Sequence, residues 1–365
     1  MFIKNEQEEK MNTRAGMGTK HKTEDRDGEI GVPEKAVGMF QKTTGLAADV
    51  RPVPFSDASD SPDVRVRITF QGTARHYHAA VTARSTPAGI GLAVRKLGGL
   101  SQKSLVIAGH IPSGLADRLR KTGIMFLDTA GNAYINDPPL FIFVKGNKPE
   151  APLCSGTLTR AFRPAGLKVI FAMLCNPGLE NAPFREIAGV AMVALGSVSV
   201  VMNDLMRAGH LSDMGTRGRR LIRKEELMGR WVTSYPEQLR PKQIIGFYRA
   251  ADNTPRDHIV LAPFEARWGG EAAADILTGY LRPRTATVYI KKPVREFLLK
   301  NMLRKDPHGN IEILRAFWTF EDRRTSPVVH PLLIYADLLA SDDPRNIETA
   351  GIVYEQEVAQ FVRED

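Results

Sequence analysis

The sequence predicts a multidomain protein of class α/β plus α+β, and three observations support this prediction. Strict apolar–polar alternation begins at Val64, and strand-like and helical segments then alternate up to about residue 146. The stretch 157–235 is helical, with glycine breaks. Short strands and amphipathic helices alternate again from about residue 236. A chain of 365 residues, 43% of them hydrophobic, is long enough for two or three domains.

Composition excludes several other classes of protein. No apolar run reaches the roughly 18–20 residues that a membrane helix needs, and the polar N-terminus contains no signal-peptide core. The only cysteines, Cys154 and Cys175, indicate a reducing compartment and exclude a zinc site built on cysteine pairs. We therefore expect a cytoplasmic protein without a membrane partner. Lys and Arg number 50 against 41 Asp and Glu, which makes a polyanion a reasonable partner.

Residues 1–62 are predicted to form a disordered tail, with a short helix near 35–41 as the one exception. Charged and small residues dominate there, so the segment cannot bury enough apolar surface to offset its ordering entropy. Residues 63–147 predict a small α/β domain. Its expected elements are strands at 64–70, 75–84 and 104–108, helices at 90–97 and 113–121, and short apolar runs at 124–127, 133–135 and 140–144. A linker is predicted at 147–156.

Residues 157–235 predict a central winged helix-turn-helix domain. Two apolar helical segments, 167–174 and 184–190, precede a third helix for which Ser197 is the predicted N-cap. One face of that helix is apolar and suited to the core. The opposite face carries small or polar side chains and no carboxylate before Asp204, so it could enter the roughly 12 Å major groove of DNA. The outer positions are Gly196, Ser197, Ser199, Val200 and Asn203, with Arg207 beside them.

Two strand-like pieces within 214–223 predict the wing. Gly218 interrupts a cluster of four arginines, a composition that suits phosphate contacts. Residues 157–235 contain eleven Lys or Arg and six Asp or Glu, which is more than half of the chain's excess charge. We expect three residues to contact base edges: Ser197, Ser199 and Asn203. The arginines expected at phosphates are Arg217, Arg219, Arg220 and Arg223. A protein-interaction adaptor remains an alternative use of such a domain.

Residues 237–365 predict an α/β domain with the element order of a nucleotidyltransferase but without its carboxylates. The pair Gly269-Gly270 stands at a helix start, and a strand at 285–291 follows. Catalysis needs two acids at alternate positions of that strand to hold magnesium, and neither alternating set contains one. Glu312, on the next strand, could be a leftover third carboxylate. We expect no catalytic residue here, with active nucleotidyl transfer as the alternative.

The domain at 63–147 has a similar deficiency. Asp128 and Lys145 lie on runs ordered as in a restriction-endonuclease-like core, but Phe143 stands where a metal-binding acid is required. His76 and His78 share one strand face, and no third ligand is evident nearby. We therefore expect a degenerate core, no metal and no cofactor. A metal-dependent nuclease is the alternative.

Three segments resemble the AbiEi family of type IV toxin–antitoxin system antitoxins. They are GIMFLDTAGNAYI at 123–135, the predicted winged unit at 197–211, and APFEARWGGEAA at 262–273. The resemblance covers about 60–365. It points to 197–207 and the wing arginines for DNA, places antitoxin activity in 237–365, and assigns no catalytic residue. In the family's better-known pattern the winged helix lies near the N-terminus, whereas about 150 residues precede it here.

The resemblance implies a transcriptional regulator that binds an inverted repeat in double-stranded DNA of its own promoter and represses its operon. The implied functional counterpart is a nucleotidyltransferase-type toxin encoded beside it, and the antagonism requires no stable complex between the two. A homodimer is expected on symmetry grounds if the operator is palindromic.

Overall fold

The computed structural model describes residues 31–53, 63–82, 85–97, 103–149, 160–250, 258–320, 327–341 and 343–363. These residues form a mixed α/β structure with sheets of seven, five and two strands. The predicted disorder of 1–30 and of 54–62 lies outside the described residues, as does the predicted linker from residue 150 onward.

The first sheet occupies residues 31–149 and runs β1 to β7 in sequential order. Its parallel centre, β3–β4–β5, is flanked by antiparallel pairs. Helix α1 packs on one face, and α2 and α3 pack on the other. The elements are α1 Val32–Thr44, β1 Ala47–Pro52, β2 Val64–Phe70, β3 Thr73–Thr82, α2 Pro87–Lys96, β4 Ser104–Ala108, α3 Ser113–Lys121, β5 Met125–Asp128, β6 Ala133–Asp137 and β7 Leu140–Val144.

The expectation of a disordered tail up to residue 62 is wrong for residues 31–53. Helix α1 is longer than the short helix expected at 35–41, and β1 pairs with β2 along its whole length. The buried residues of α1 include Val32, Ala36 and Phe40, spaced four residues apart, which places them on one helix face. This stripe supplies the apolar surface that the composition of the segment as a whole conceals.

Residues 160–238 form a helical unit that contains the two-stranded sheet. Its three short helices and hairpin follow the predicted order. The first strand of the hairpin lies just before the predicted segment 214–223, and the second lies within it. The long helix α7 was not predicted. The elements are α4 Pro164–Cys175, α5 Phe184–Val190, α6 Leu195–Arg207, β8 Leu211–Asp213, β9 Arg219–Leu221 and α7 Lys224–Gln238.

Residues 239–363 form the five-stranded sheet, in the order β11-β12-β14-β10-β13, with flanking helices. Strands β12 and β14 are parallel, and the other pairs are antiparallel. Residues 259–261 form no strand, and the backbone of Val260 pairs with the side chain of Asn301 instead. The elements are β10 Ile244–Arg249, β11 Ala266–Gly269, α8 Gly270–Thr278, β12 Ala286–Ile290, α9 Val294–Lys300, β13 Arg304–Lys305, β14 Ile311–Arg315, α10 Pro331–Leu339, α11 Pro344–Val353, a π-helical turn Tyr354–Val358 and α12 Ala359–Arg363.

One hydrophobic core is continuous through the helical unit and the C-terminal sheet. Within it, the ring of Phe171 stacks on Trp231 at 5.2 Å between centroids, and Trp231 stacks on Tyr235 at 4.9 Å. Phe317, which follows β14, also contacts Phe171. The predicted domain boundary at 235–237 therefore falls inside a shared core.

The first sheet contacts this shared core through helix α2. The Arg95 guanidinium donates a hydrogen bond to Glu225 Oε1 at 3.2 Å and lies 3.7 Å from the ring centroid of Tyr354. A Cβ on Gly91 would lie 2.7 Å from a methyl carbon of Leu339, so the two surfaces meet where a larger side chain would clash. The first sheet itself has two separate hydrophobic clusters, one on each face.

Among the described residues, no single helix is both long and apolar enough to cross a membrane. Helices α5 and α6 meet the length and composition criteria only when taken together, across a bend of 103°. The apolar face of α6 is buried in the shared core.

The position of Phe40 gives the first prediction. This side chain is 1% exposed in the cluster between α1 and the sheet. Phe40→Ala should lower the free energy of unfolding of the first sheet by about 3–5 kcal/mol, because it removes a large buried ring and leaves a cavity. Urea unfolding followed by circular dichroism measures the change. Lys35→Ala, on the exposed side of the same helix, is the control and should leave the transition in place; equal effects of the two changes would contradict this packing.

Candidate nucleic-acid interface

Helices α5 and α6 form a bent pair joined by a short turn at 191–194. The angle between them is 103°, within the range of about 90–120° that is typical of helix-turn-helix units. Met192, in this turn, has φ 52°, a left-handed conformation that reverses the chain between the helices. Hydrogen bonds from Ala191 and Val193 N–H to the carbonyls of Ile187 and Ala188 hold the turn against the end of α5.

Helix α6 buries the face that the sequence predicts. Its core residues pack in the shared cluster with α4 and α5, and they are Val198, Val201, Met202 and Leu205. On the other side, Asn203 and Arg207 are exposed, and Ser197 and Ser199 are partly exposed. The helix begins at Leu195 after Ala194, so the prediction that Ser197 is the N-cap is wrong, and no side chain caps this terminus.

A tight turn joins α6 to the hairpin of β8 and β9. Gly209 has φ 67°, and a Cβ there would lie 2.5 Å from Arg223 Nη2. Both observations require glycine, because an L side chain is strained at this φ and has no room. Strand pairing then places Ser212 opposite Arg220 and Asp213 opposite Arg219.

Asn181 anchors the hairpin to the short helical turn between α4 and α5. Its Oδ1 accepts a hydrogen bond from Arg219 N–H at 2.6 Å, and its Nδ2 donates to the Arg219 carbonyl at 2.8 Å. Gly218 makes this approach possible, since a Cβ there would meet Asn181 Oδ1. Sequence reasoning missed Asn181, because nothing in the sequence signals a side chain that pairs with a strand 38 residues away.

The four wing arginines have different environments. The side chains of Arg217 and Arg220 are exposed. Arg219 is half-buried, donates to the Ala182 carbonyl at 3.1 Å, and lies 5.0 Å from the ring centroid of Phe184. Arg223 binds the C-terminal end of α6 through the carbonyls of Ala208 and Gly209, and it pairs with Glu226 at 3.2 Å. The structure therefore gives Arg219 and Arg223 packing contacts in addition to their charge.

Glu312, the carboxylate of the C-terminal sheet that the sequence analysis compared with an enzyme site, is paired with an arginine. Glu312 accepts two hydrogen bonds from the Arg240 guanidinium, at 2.9 and 2.6 Å, in a bidentate pair. The third nitrogen of Arg240 donates to Asp337 Oδ1 at 2.9 Å. Glu312 thus serves as a counter-ion to Arg240 in this structure.

Two tyrosines complete this buried network. Tyr289 donates to Asp337 Oδ2 at 2.8 Å, and Tyr235 lies 2.6 Å from Tyr289, hydroxyl to hydroxyl. Burial raises the pKa of Asp337 above its usual value, and it also raises the pKa of both tyrosines. Tyr289 lies on β12, the strand on which a nucleotidyltransferase would carry its acids.

The carboxylate of Asp128 in the first sheet is hydrogen-bonded to neighbouring backbone and side-chain groups. It accepts hydrogen bonds from the N–H groups of Ile111, Ala130 and Asn132 and from the Asn132 side chain, at 2.7–2.8 Å. The side chain is fully buried and fixes the β5–β6 turn. Lys145 pairs instead with Asp117 at 2.6 Å. These contacts give Asp128 the role of a turn residue.

His76 and His78 lie on one exposed face of β3, as the sequence predicts. Across the strand pair, His76 is opposite Arg67 and His78 is opposite Arg65. In the described part of the chain, no group of three or more His, Cys, Asp or Glu could hold a metal ion.

The second prediction concerns Arg240. Its side chain is 19% exposed, against 12% for Glu312 and 1% for Asp337. Arg240→Met should lower the free energy of unfolding by about 3–5 kcal/mol, because it leaves two buried carboxylates without their cation. Thermal and urea unfolding measure the loss. The matched control is Arg249→Met, which breaks the more exposed pair with Asp306 and should have a much smaller effect, because water screens exposed ion pairs. A smaller effect at Arg240 than at Arg249 would contradict the structural role.

Comparison with protein families gave a match for the C-terminal part of the chain. Searches of curated proteins and of solved structures gave no match. Residues 220–359 match the family model described as "Transcriptional regulator, AbiEi antitoxin, Type IV TA system". The match begins in β9 and includes α7 and most of the C-terminal unit, while α6 lies outside it. The resemblance of this chain to the AbiEi family is thus confirmed over residues 220–359.

Proposed function

We propose that this chain is a non-enzymatic, DNA-binding transcriptional regulator, the antitoxin of a type IV toxin–antitoxin system that represses its own operon. Its toxin would be a nucleotidyltransferase-type protein encoded beside it, opposed without a stable complex. The site of action is the cytoplasm, and two copies would bind an inverted repeat in the promoter.

One observation carries the DNA-binding part of this proposal, namely the exposed face of α6 beside a cationic hairpin. The 103° bend between α5 and α6 is the geometry of a helix-turn-helix, and the hairpin follows α6 directly, as a wing does. Asn203 and Arg207 on α6 are exposed and Ser199 is partly exposed, and all three are hydrogen-bonding side chains other than carboxylates. Such a face supports α6 as the recognition helix of a winged helix-turn-helix.

The uncapped start of α6 supports the same orientation. Since no side chain satisfies the N–H groups of its first turn, a DNA phosphate could accept their hydrogen bonds and interact with the helix dipole. Arg217 and Arg220 would then contact phosphates on either side. Arg219 and Arg223 would contribute mainly by holding the hairpin in place, because their guanidinium groups already bind backbone carbonyls.

The antitoxin part of the proposal rests on the family match. The matched residues include β12 and the network of Glu312 and Asp337, where a related enzyme fold would hold its metal ions. Since Arg240 and the tyrosines occupy these carboxylates, we propose that the C-terminal unit acts without nucleotidyl transfer. An adjacent toxin gene whose toxicity this chain relieves would support the assignment directly.

The third prediction tests the wing. Arg217→Ala together with Arg220→Ala should weaken binding to operator and unrelated duplex DNA by similar factors, because phosphate contacts carry no sequence information. The slope of log affinity against log salt should fall by about 2, since each phosphate that an arginine neutralises adds about 0.9 to it. Gel shifts across a salt series measure both quantities. Unchanged binding to the chain's own upstream DNA would reject the wing assignment.

The fourth prediction tests the recognition helix. Asn203→Ala should cost about 1–3 kcal/mol of operator binding, because alanine cannot form the bidentate hydrogen bonds that asparagine makes to a base edge. Binding to unrelated DNA should stay the same, so the ratio of the two affinities is the measurement. Ser199→Ala should act in the same direction with a smaller effect. A parallel decrease on both DNAs would instead indicate that Asn203 contacts only the backbone.

A further inference from the structure

The first sheet has an exposed basic surface that the family match does not cover. We call it the arginine face, and define it by the outward residues of β1, β2 and β3 on the side where α2 and α3 also pack. Helices α2 and α3 cover Ala80 and the strands beyond β3 on this side. The charged and histidine residues of the face that remain exposed are Arg51, Arg65, Arg67, His76 and His78. The charged and histidine members are Asp49, Arg51, Arg65, Arg67, His76 and His78.

Strand register brings like charges together on this face. Arg51 on β1 lies directly opposite Arg65 on β2, and Arg65 lies opposite His78 on β3. Side chains in such pairs are about 4.5–5.5 Å apart at Cβ, and like charges at this spacing destabilise a sheet. The pair of Arg51 and Arg65 therefore destabilises the sheet, and the described residues of this face do not explain why it is there.

Among the described residues, the carboxylates near the face do not fully neutralise it. Asp49 is shared between Arg67, at 2.6 Å, and Arg51, at 3.7 Å. Asp63, two residues before Arg65, binds Lys96 and the N–H of Val81 instead. Arg65 is exposed and has no ion pair within the part of the chain that the structure describes.

The chemistry of the face selects one class of ligand. Its side chains are Arg, His, Asp, Thr and Ala, with no aromatic residue on which an unpaired base could stack. Guanidinium groups on a rigid sheet suit phosphate oxygens, which they bind in bidentate pairs. The backbone of duplex DNA offers a row of such phosphates to a protein that carries a second DNA contact in the same chain.

We propose that the arginine face is a second DNA-binding surface, which contacts the phosphate backbone of the duplex beside the operator. Arg51, Arg65 and Arg67 form the contacts. Phosphates bound over the face would offset the repulsion between Arg51 and Arg65, which lie opposite each other in the unbound protein. This inference rests on the proposed function, since it requires that the chain binds DNA. It gives the first sheet a role that lengthens the binding site and adds no sequence specificity.

The decisive variant is Arg51→Gln together with Arg65→Gln. Because it removes the like-charge pair, its thermal midpoint should equal or exceed that of the wild type. Its affinity for a duplex fragment of the chain's own promoter should fall about tenfold or more near 0.1 M salt, with the salt slope lower by about 2. Hydroxyl-radical footprints should lose backbone protection at the flank of the operator and keep it at the centre.

The matched control is Lys35→Gln together with Lys121→Gln. It removes the same charge from exposed positions on α1 and α3 that are not part of the arginine face. Its affinity should stay within about twofold of the wild type. If the face variant binds like this control, the arginine face does not contact DNA and the inference is wrong.

A wing variant, Arg217→Ala with Arg220→Ala, separates this inference from the proposed function. Loss of binding in the wing variant alone would leave the proposed function standing and overturn the inference. Loss in the face variant alone would support the inference and overturn the wing assignment. A wild-type chain that binds no duplex DNA would overturn both.

Discussion

The bidentate pair between Arg240 and Glu312 is the interaction on which the C-terminal half of the chain depends. Arg240 follows the end of α7, Glu312 lies in the middle of β14, and the third partner, Asp337, lies on α10. One guanidinium thus joins three elements that are distant in sequence. Removing any one of these charged side chains leaves the others without a full set of partners in a largely buried site, which destabilises the fold. The same contacts occupy the carboxylates that metal chemistry would need, so stability and the proposed non-enzymatic role have a common cause.

Much of the fold could be predicted from the sequence, because apolar residues recur with a helix or strand period in most elements. The strand at 64–70, the α6 core face and the strand at 286–290 show it directly. Helix α7 was missed although Leu227, Trp231 and Tyr235 recur every four residues, because Gly229 and Pro236 interrupt the pattern. Helix α1 was predicted only in part, at 35–41, because its apolar stripe is short and lies within a segment of polar composition.

The candidate site could be predicted only as far as residue type and position. Sequence reasoning placed Ser199, Asn203 and Arg207 on the outer side of the third helix, and the structure exposes all three at least in part. It could not distinguish Arg223, which binds the end of α6, from Arg217, which is exposed, because both are arginines in one short run. Such differences arise from tertiary contacts, and a single sequence does not encode them in any local pattern.

Helix α7 joins the helical unit to the C-terminal sheet, and the family match begins just before it, inside the hairpin. The helix starts three residues after β9, and its indole Trp231 donates to the Leu167 carbonyl of α4 at 2.8 Å. At its other end, Tyr235 joins the Arg240 network through Tyr289 and Asp337. The helical unit and the C-terminal sheet therefore share one element and one core, and neither buries its apolar surface without the other. A change that loosens this core would disturb the hairpin and the C-terminal unit together, so the proposed DNA binding and the proposed antitoxin action would both respond to it.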